Sequence, residues 1–216
     1  IRVASGAIIA FTDADCIPDS DWIATGVSAL DECGGACVVG GDVIVQMPTA
    51  PTAVELYQSI TGFEQQDNIE RLGFSVTANL FVHRSQFARV GDFDESLLSG
   101  GDLDWSKKAT VAGCQLRYAP AAIVRTQPRK TLPVAIRQAR RVAGGRLGLK
   151  GKGWVGAAQF RPAPKRTALQ ALLWIIRHPE LSVIDRMRVL FVAVVLKLAH
   201  VAETLRLRLG GRAERR

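Results

Sequence analysis

The stretch IIAFTDAD, residues 8–15, constrains this chain more than any other, because a short apolar run ends there in two carboxylates separated by one residue. The run predicts a buried strand over Ile8–Thr12, and ligands bind at such strand ends in open α/β sheets. Residues i and i+2 of an extended chain face the same side, so Asp13 and Asp15 would share one site. Two neighbouring carboxylates repel unless a cation or hydrogen-bond donors hold them, and oxygen ligands suit Mg²⁺ or Mn²⁺.

An Asp-rich turn is the alternative for the same residues. In that interpretation Pro18 continues the turn, and Asp19 or Ser20 caps a following helix. The spacing of Asp13 and Asp15 favours the turn when no other residue is considered. A metal site at this turn therefore needs support from residues further along the chain.

The charge of the chain is divided unevenly along its length. The 216 residues are 48% hydrophobic, enough for one sizeable domain and an appendage, and they carry a net charge of +8. Residues 1–124 hold 7 Lys and Arg against 16 Asp and Glu, whereas residues 125–216 hold 21 against 4. The acidic half suits a metal site, and the basic half suits phosphate-bearing partners such as nucleotides, anionic lipid or nucleic acid.

The four cysteines form no zinc-binding pattern. None belongs to a C-x-x-C pair, and no histidine lies near Cys33 and Cys37 in the sequence. We therefore expect small buried thiols in a reduced, cytosolic setting rather than a disulfide framework.

The rest of the acidic half alternates predicted helices and strands, which is typical of an α/β sheet. The patterns predict helices over Asp21–Cys33, Thr52–Arg71 and Ser85–Val90, and a further helix that follows the segment Ser99–Trp105 and ends at Gly113. They predict strands over Cys37–Val45, Ser75–Val82, Gln115–Ala119 and Ala121–Thr126.

The basic half predicts helices, over Leu132–Arg146, Thr167–Arg177 and Ile184–Leu209, with a Gly/Lys-rich loop at 144–156 and a linker at 161–165. Neither of the last two helices offers the roughly 18 uncharged apolar residues of a membrane span. The last is amphipathic, with one apolar face made of Leu190, Val194, Leu198, Val201, Leu205 and Leu209. We divide the chain into the α/β part (residues 1–130), a basic helix with the Gly-rich loop (residues 131–160) and an amphipathic helical tail (residues 161–216).

Two further clusters could carry chemistry. Asp102 and Asp104 follow two glycines, and a carboxylate at such a helix start can act as a general base, or simply cap the helix. Gln138, Arg140 and Arg141 lie on the Arg-rich helix, where arginine could clamp a diphosphate or form a solvated basic face.

Taken in order, several segments resemble the family-2 glycosyltransferases of the GT-A fold. The segments are IIAFTDADCIPDSDWI, ANLFVHRSQFARVGDFDESL, GGDLDWSKKATVAGCQLRYAPAAIV and QARRV, within about residues 1–145. The resemblance implies a Rossmann-like mixed α/β sheet followed by amphipathic helices. It also implies an inverting transferase that uses a nucleotide-diphospho-sugar and Mn²⁺ or Mg²⁺. The family's N-terminal strands, which bind the nucleobase, have no counterpart before Ile1, so we expect an N-terminally truncated domain that binds donor poorly.

The resemblance also implies roles for individual residues. Asp15 would hold the metal on the diphosphate, Asp13 would contact the metal or the ribose, and Asp102 would be the general base. Asn79 would lie on the strand that lines the donor-sugar pocket. The implied substrate contacts are Asp13, Asn79, Asp104, Gln138 and Arg141.

Three positions depart from the family pattern. Gly101 stands where a glutamate usually precedes the base, and Thr126 stands where many relatives carry a histidine. QARRV matches the Q-x-x-R-W motif of processive synthases except that Val142 replaces tryptophan. We therefore expect diphosphate binding and draw no expectation of processivity.

The expected partners are the nucleotide-sugar, a glycan or lipid-linked acceptor, and a membrane surface, without nucleic acid. We expect a bacterial-type enzyme, peripheral to the cytoplasmic face of the inner membrane, with its basic amphipathic helices on the lipid. A packed helical hairpin covering the sheet edge is the alternative for those helices. The alternatives for the whole chain are a basic nucleic-acid-binding module and a catalytically silent scaffold that binds partners.

Overall fold

A computed structural model describes residues 1, 3–150, 152 and 168–213 of the chain. Its strands are β1 (Ile8–Thr12), β2 (Cys16–Pro18), β3 (Cys37–Val45), β4 (Asn79–His83) and β5 (Gln115–Thr126). Its helices are α1 (Trp22–Cys33), α2 (Ala53–Thr61), α3 (Gln65–Asp67, continued by a π-helical turn over Asn68–Leu72), α4 (Ser85–Val90), α5 (Gly101–Val111), α6 (Leu132–Gly148), α7 (Ala168–Ile176) and α8 (Val183–Arg208).

The five strands form one mixed sheet in the order β1-β4-β3-β5-β2. β3 and β5 are parallel, while β4 runs antiparallel to β1 and β3, and β2 runs antiparallel to β5. The turn at residues 13–15 therefore connects the two outermost strands. The acidic pair lies at the C-terminal end of β1, as the sequence predicted.

Helices cover both faces of the sheet. Successive side chains of β4 are apolar and point to opposite faces, so each face has an apolar surface for a helix to pack on. Phe81 packs towards α1 and contacts Trp22 with ring centroids 5.0 Å apart, whereas Leu80 and Val82 pack on the opposite face with Trp105 of α5. The fit under α1 is close, since a Cβ on Gly26 would lie 2.1 Å from the Phe81 ring. These two clusters form the core of the sheet domain, which we call the sheet half (residues 1–126).

A second group of helices packs beside the sheet. α2, α6 and α8 meet through Val54, Ala135 and Val192, and α2, α7 and α8 meet through Leu56, Ile175 and Val189. We call the helices α6 to α8 (residues 132–208) the helical half. Helices therefore follow the sheet in the chain, as expected.

Four predicted elements differ from those observed. The helix over Thr52–Arg71 is interrupted after α2, where Gly62 and Glu64 both have positive φ. The strand predicted from Ser75 starts only at Asn79, because the Ser75 amide donates to Ser106 Oγ instead of a neighbouring strand. β5 continues through Pro120, where the pairing with β3 shifts register.

The fourth difference is at the end of α6, which continues to Gly148 and so includes the start of the predicted loop. The rest of that loop, apart from Lys150 and Lys152, and the linker at 161–165 lie outside the described residues.

The cysteine prediction was wrong for one pair. Cys33 and Cys37 form a disulfide, with their Cα atoms 6.1 Å apart. α1 ends at Cys33, Gly34 and Gly35 turn the chain with positive φ, and β3 begins at Cys37. The turn brings the sulfurs together, a geometry that spacing alone does not indicate. Cys16 and Cys114 are free thiols.

The predicted cap of α1 was also wrong. The residue that precedes the helix is Asp21, and its side chain makes no capping bond. Asp19 instead accepts two hydrogen bonds from Arg125 of β5, at 2.7 and 2.8 Å. The turn after the acidic pair is therefore fixed to the sheet by an ion pair.

The amphipathic face predicted for α8 is largely exposed. The residues that α8 buries are Val189, Val192, Leu196 and Glu203, whereas Leu198 is 63% exposed. Large apolar side chains continue along the outer side at alternating spacings of three and four residues, which we call the exposed stripe: Ile184, Met187, Phe191, Val194, Leu198, Val201 and Leu205. No helix in the part of the chain that the structure describes combines the length and apolarity that a bilayer span requires.

Candidate active site

The acidic pair occupies the turn between β1 and β2. The Cys16 amide donates to the Asp13 carbonyl at 3.0 Å and closes this turn. Partial burial raises the pKa of Asp13, and the negative charge of Asp15 raises it further. Arg141 and Arg129 oppose this rise. The ionised form of Asp13 is disfavoured on balance, and a bound cation would offset that.

Asp102 faces the same region from the start of α5. Gly100 precedes the helix with φ +84°, and a Cβ there would lie 2.7 Å from Leu149 Cδ1, so this tight entry requires glycine. Asp102 Oδ1 accepts a hydrogen bond from the Leu103 amide at 2.8 Å. The residue that caps α5 is Gly100, so Asp102 is the second residue of the helix rather than its cap.

The electrostatics place Asp102 with the acidic pair. Burial raises the pKa of Asp102, and the negative charge of Asp13 raises it further. Hydrogen bonds from the backbone amides of Leu103 and Asp102 lower it. Arg141 opposes the rise in both carboxyl groups, of Asp102 and of Asp13. Two carboxylates predicted from distant parts of the sequence therefore lie within electrostatic reach of one arginine.

A second arginine, Arg129, was missed by the sequence analysis. It lies between β5 and α6, and its amide donates to Gln58 Oε1 at 2.7 Å. Burial and the nearby Arg141 lower the pKa of Arg129, while Asp15 and Asp13 raise it. Two arginines thus face the acidic pair. In the sequence, the one feature that could have pointed to Arg129 is its position as a basic residue three positions after the last strand.

Asn79 belongs to the core rather than to a pocket wall. Its side chain is inaccessible to solvent, accepts from Trp22 Nε1 at 2.8 Å, and donates to the carbonyls of Asp42 and Ala122 at 2.7 and 2.8 Å. A substrate contact by this amide would require some of these bonds to break. The Asn79 side chain therefore links α1, β3 and β5 through hydrogen bonds at the start of β4.

Asp104 is also fully buried. Its carboxylate lies 2.6 Å from Lys108 Nζ and 3.8 Å from Lys152 Nζ. Asp104 therefore holds the region after α6 against α5, which positions Asp102 two residues earlier, instead of presenting an oxygen to substrate.

The remaining predicted residues lie on different sides of α6. Arg141 faces the acidic pair, whereas Gln138 lines a cavity among α2, α6, α7 and α8. Arg140 binds Glu203 of α8 at 2.9 Å. Thr126, at the position where a histidine is common, pairs with Cys16 across β5 and β2 beside the acidic turn.

Asp13 and Asp15 can hold a metal ion only if a bound substrate supplies further ligands to it. Across the described ranges, no group of three or more His, Cys, Asp or Glu side chains is placed to hold a metal ion. Asp13 and Asp15 supply carboxylate oxygens, and Mg²⁺ in proteins is commonly bound by one or two carboxylates together with substrate phosphates. The donor set therefore fits a hard divalent ion bound jointly with a phosphate.

Comparison with known families decides the class of this fold. Residues 8–205 match the model of the family described as Glycosyl transferase family group 2. The chain belongs to this glycosyltransferase family. A relative, the glycosyltransferase AglE of Haloferax volcanii, is 34% identical over 176 residues, which are 82% of this chain and 55% of AglE. The chain spans about half the length of that relative.

A solved structure shares the fold. The mannosyltransferase PcManGT from Pyrobaculum calidifontis, in complex with GDP-Man and Mn²⁺, superposes with a TM-score of 0.53 at 17% sequence identity. The match covers 94% of this chain and 64% of that one. The mixed sheet followed by helices is thus a GT-A-like glycosyltransferase fold, which confirms the fold expected from the sequence.

Proposed function

We propose that this glycosyltransferase moves a sugar from a nucleotide-diphospho-sugar to an acceptor hydroxyl and inverts the anomeric centre. The observation that carries the proposal is the meeting of Asp102 with the acidic pair and Arg141 at one end of the sheet. Membership of the family supports transfer of a glycosyl group. The donor, the metal and the inversion are proposals about the site.

The acidic pair and the arginines would serve the leaving group. Departure of a nucleoside diphosphate develops negative charge on its phosphate oxygens. Arg129 and Arg141 can donate hydrogen bonds to those oxygens and neutralise the charge. Asp13 and Asp15 would hold Mn²⁺ or Mg²⁺, which when bound would supply further neutralisation of the diphosphate. PcManGT in complex with GDP-Man and Mn²⁺ supports this choice of ligands.

Asp102 would act as the general base. Its carboxylate would accept the proton of the acceptor hydroxyl as that oxygen attacks the anomeric carbon opposite the departing diphosphate. The raised pKa of Asp102 makes its carboxylate a stronger base than an exposed aspartate. One displacement without a covalent intermediate gives inversion.

Calorimetry and turnover of two variants test these roles. We expect GDP binding to strengthen with Mn²⁺ in the wild type and to lose this dependence in Asp15→Ala. We expect Asp102→Asn to bind GDP with Mn²⁺ as the wild type does and to lose about 10²–10⁴-fold in transfer rate. Asp92→Asn, an exposed carboxylate outside the site, serves as the control. Unchanged turnover in Asp102→Asn would overturn the assignment of the base.

We further propose that the exposed stripe of α8 lies on a membrane surface. Seven large apolar side chains on one side of a 26-residue helix, beside Lys197 and Arg208, fit an interfacial helix on anionic lipid. The acceptor would then be a lipid-linked or surface glycan. We expect Phe191→Gln with Leu198→Gln to reduce flotation with phosphatidylglycerol liposomes, whereas Ile23→Gln on α1 does not. Equal flotation of all three proteins would contradict the membrane assignment.

The cytoplasmic side of that membrane stays a prediction from the sequence. The Cys33–Cys37 disulfide is typical of an oxidising compartment, so it favours the opposite side. Alkylation of free thiols in intact cells, followed by mass spectrometry, distinguishes the two. A cytoplasmic protein would be modified at Cys33, and an exported one would not. The bacterial-type origin also stays a prediction, and the relative AglE comes from an archaeon.

A further inference from the structure

The helical half buries one carboxylate that the proposed chemistry does not use. Glu203 of α8 has only 6% of its surface exposed. The other acidic residue of α8 is Asp185, in the first turn of the helix. A buried carboxylate is unfavourable unless charged or hydrogen-bonding partners surround it. The partners of Glu203 therefore indicate what it does in the fold.

Two arginines bind Glu203, and they come from different helices. Arg140 of α6 donates from Nε to Glu203 Oε2 at 2.9 Å. Arg206 of α8 donates to both carboxylate oxygens, at 3.0 and 2.6 Å. Hydrogen bonds from Arg206 and Arg140 lower the pKa of Glu203, so its carboxylate is ionised at neutral pH. Arg206 orients the carboxylate on its own helix, and the carboxylate in turn holds Arg140 of the neighbouring helix.

The apolar contact between α6 and α8 involves small side chains on the α6 side. Ala135 and Ala139 pack in one cluster with Val192 of α8. Apolar contact is non-directional, whereas a charged hydrogen bond requires a defined donor geometry. The pair of Arg140 and Glu203 is therefore suited to specify which side of α6 faces α8.

The next residue of α6 is Arg141, which faces the candidate active site. Successive residues of an α-helix point about 100° apart, so a rotation of α6 that moves Arg140 also moves Arg141. The positive charge of Arg141 lowers the pKa of both Asp13 and Asp102. The pair with Glu203 therefore determines indirectly where Arg141 points.

We infer that Glu203 is a positioning residue for the transfer reaction, because it holds Arg140 so that α6 directs Arg141 at the diphosphate site. The inference rests on the proposed function and adds to it a residue of α8. It connects the helix that carries the exposed stripe to an arginine that would neutralise the leaving group.

A double-mutant cycle on GDP binding tests the inference. With Mn²⁺ present, we expect Glu203→Ala and Arg141→Ala each to weaken GDP binding about tenfold, the effect of losing one charge-assisted hydrogen bond. We expect the double variant to bind no more weakly than Arg141→Ala, because Glu203 acts through Arg141. A further loss of the same factor in the Arg141→Ala background would mean that Glu203 only stabilises the fold, and would overturn the inference.

Two further variants keep the test decisive if Glu203→Ala fails to fold. The Arg140 side chain is half-exposed, and Arg140→Ala should weaken GDP binding as Glu203→Ala does, again only where Arg141 is present. Asp185→Ala is the matched control, because it removes the other carboxylate of α8, which binds Arg188 of the same helix at 2.9 Å. It should bind GDP as the wild type does. Full GDP affinity in Arg140→Ala, or a loss that persists without Arg141, would overturn the inference.

The carboxyl group of Asp102 reports the same link without GDP or metal. Burial and the charge of Asp13 raise the pKa of Asp102, and the charge of Arg141 opposes that rise. We expect titration by ¹³C NMR to show a higher Asp102 pKa in Arg141→Ala, and a rise in the same direction in Glu203→Ala. An unchanged Asp102 pKa in Glu203→Ala would overturn the inference.

The two measurements separate the inference from the proposed function. If the wild type does not bind GDP and the Asp102 pKa still rises in Glu203→Ala, the proposed donor fails and the link from Glu203 to Arg141 stands. If the wild type and Glu203→Ala bind GDP equally well, the proposed donor stands and the role of Glu203 fails.

Discussion

The sheet half and the helical half differ most in the polar side chains that the first buries and in the large apolar side chains that the second exposes. The sheet half buries polar side chains and satisfies them, as Asn79 does with three hydrogen bonds and Gln65 does with Ser75, Val76 and the Asn79 carbonyl. The helical half leaves large apolar side chains such as Phe191 and Leu198 exposed. The helical half therefore has an apolar surface that a partner could cover.

The chain also has an acidic and a basic part, and groups from both parts lie at the candidate site. Residues 1–124 have a net charge of −9 and residues 125–216 of +17. Arg129 and Arg141 bring positive charge from the basic part of the chain to Asp13 and Asp15. The acidic and the basic parts of the chain therefore contribute groups of opposite charge to the candidate site.

Removing a buried polar group should affect the sheet half most. Asn79→Ala would leave the Trp22 indole N–H and two carbonyl oxygens unpaired in the core, and we expect the free energy of unfolding to fall by at least about 3 kcal/mol. Gln138→Ala in the helical half should cost less than about 1 kcal/mol. Urea denaturation measures both values, and equal losses would contradict the comparison.

Apolar truncation should distinguish the two sides of α8. Val192 is buried against α2 and α6, so Val192→Ala should lower the free energy of unfolding by about 2 kcal/mol. Val194 is 45% exposed, and Val194→Ala should change it by less than about 0.5 kcal/mol. A similar loss in both variants, measured by denaturation without lipid, would mean that the exposed stripe is covered by protein.

The disulfide should make a moderate contribution to the free energy of unfolding of the sheet half. It closes a loop of about five residues, for which the chain-entropy model gives about 2 kcal/mol. We expect a reductant to lower the denaturation midpoint of the wild type and to leave that of Cys33→Ser unchanged. A wild-type midpoint that does not respond to reductant would show that the cross-link contributes nothing to stability.

The smallest expected effect is the pH dependence at Asp102. Its pKa is raised above the ordinary value of 3.8 in the folded protein. Its contribution to stability is therefore fully present below the unfolded-state pKa and is lost as pH rises through the folded-state pKa. At pH 7 we expect Asp102→Asn to melt at the wild-type temperature or slightly above, with the difference vanishing towards pH 3.8. A lower melting temperature of Asp102→Asn at pH 7 would show that the ionised carboxylate is stabilised in the fold.

The sequence predicted the parts of the fold that local patterns control. β1, β3 and α1 were predicted within one residue, because short apolar runs mark the strands, and helical periodicity with the glycines after Cys33 marks the helix. Asp13, Asp15 and Asp102 could be proposed because carboxylates at strand and helix ends have recognisable neighbours. The order of the segments identified the family, which the match over residues 8–205 confirms.

The tertiary structure decided what depends on contacts between distant residues. Periodicity predicted one apolar face of α8 that includes Leu198, but packing buries Val192 and Leu196 instead and leaves Leu198 exposed. Asn79 and Asp104 are polar in sequence, and only their distant partners show them to be buried supports. Arg129 has no local motif, since it joins the site through the fold. The sequence by itself thus determined the class of the protein and its acidic residues. The three-dimensional packing decided which polar groups are buried and which charges are paired, because burial and charge pairing arise between segments far apart in the chain.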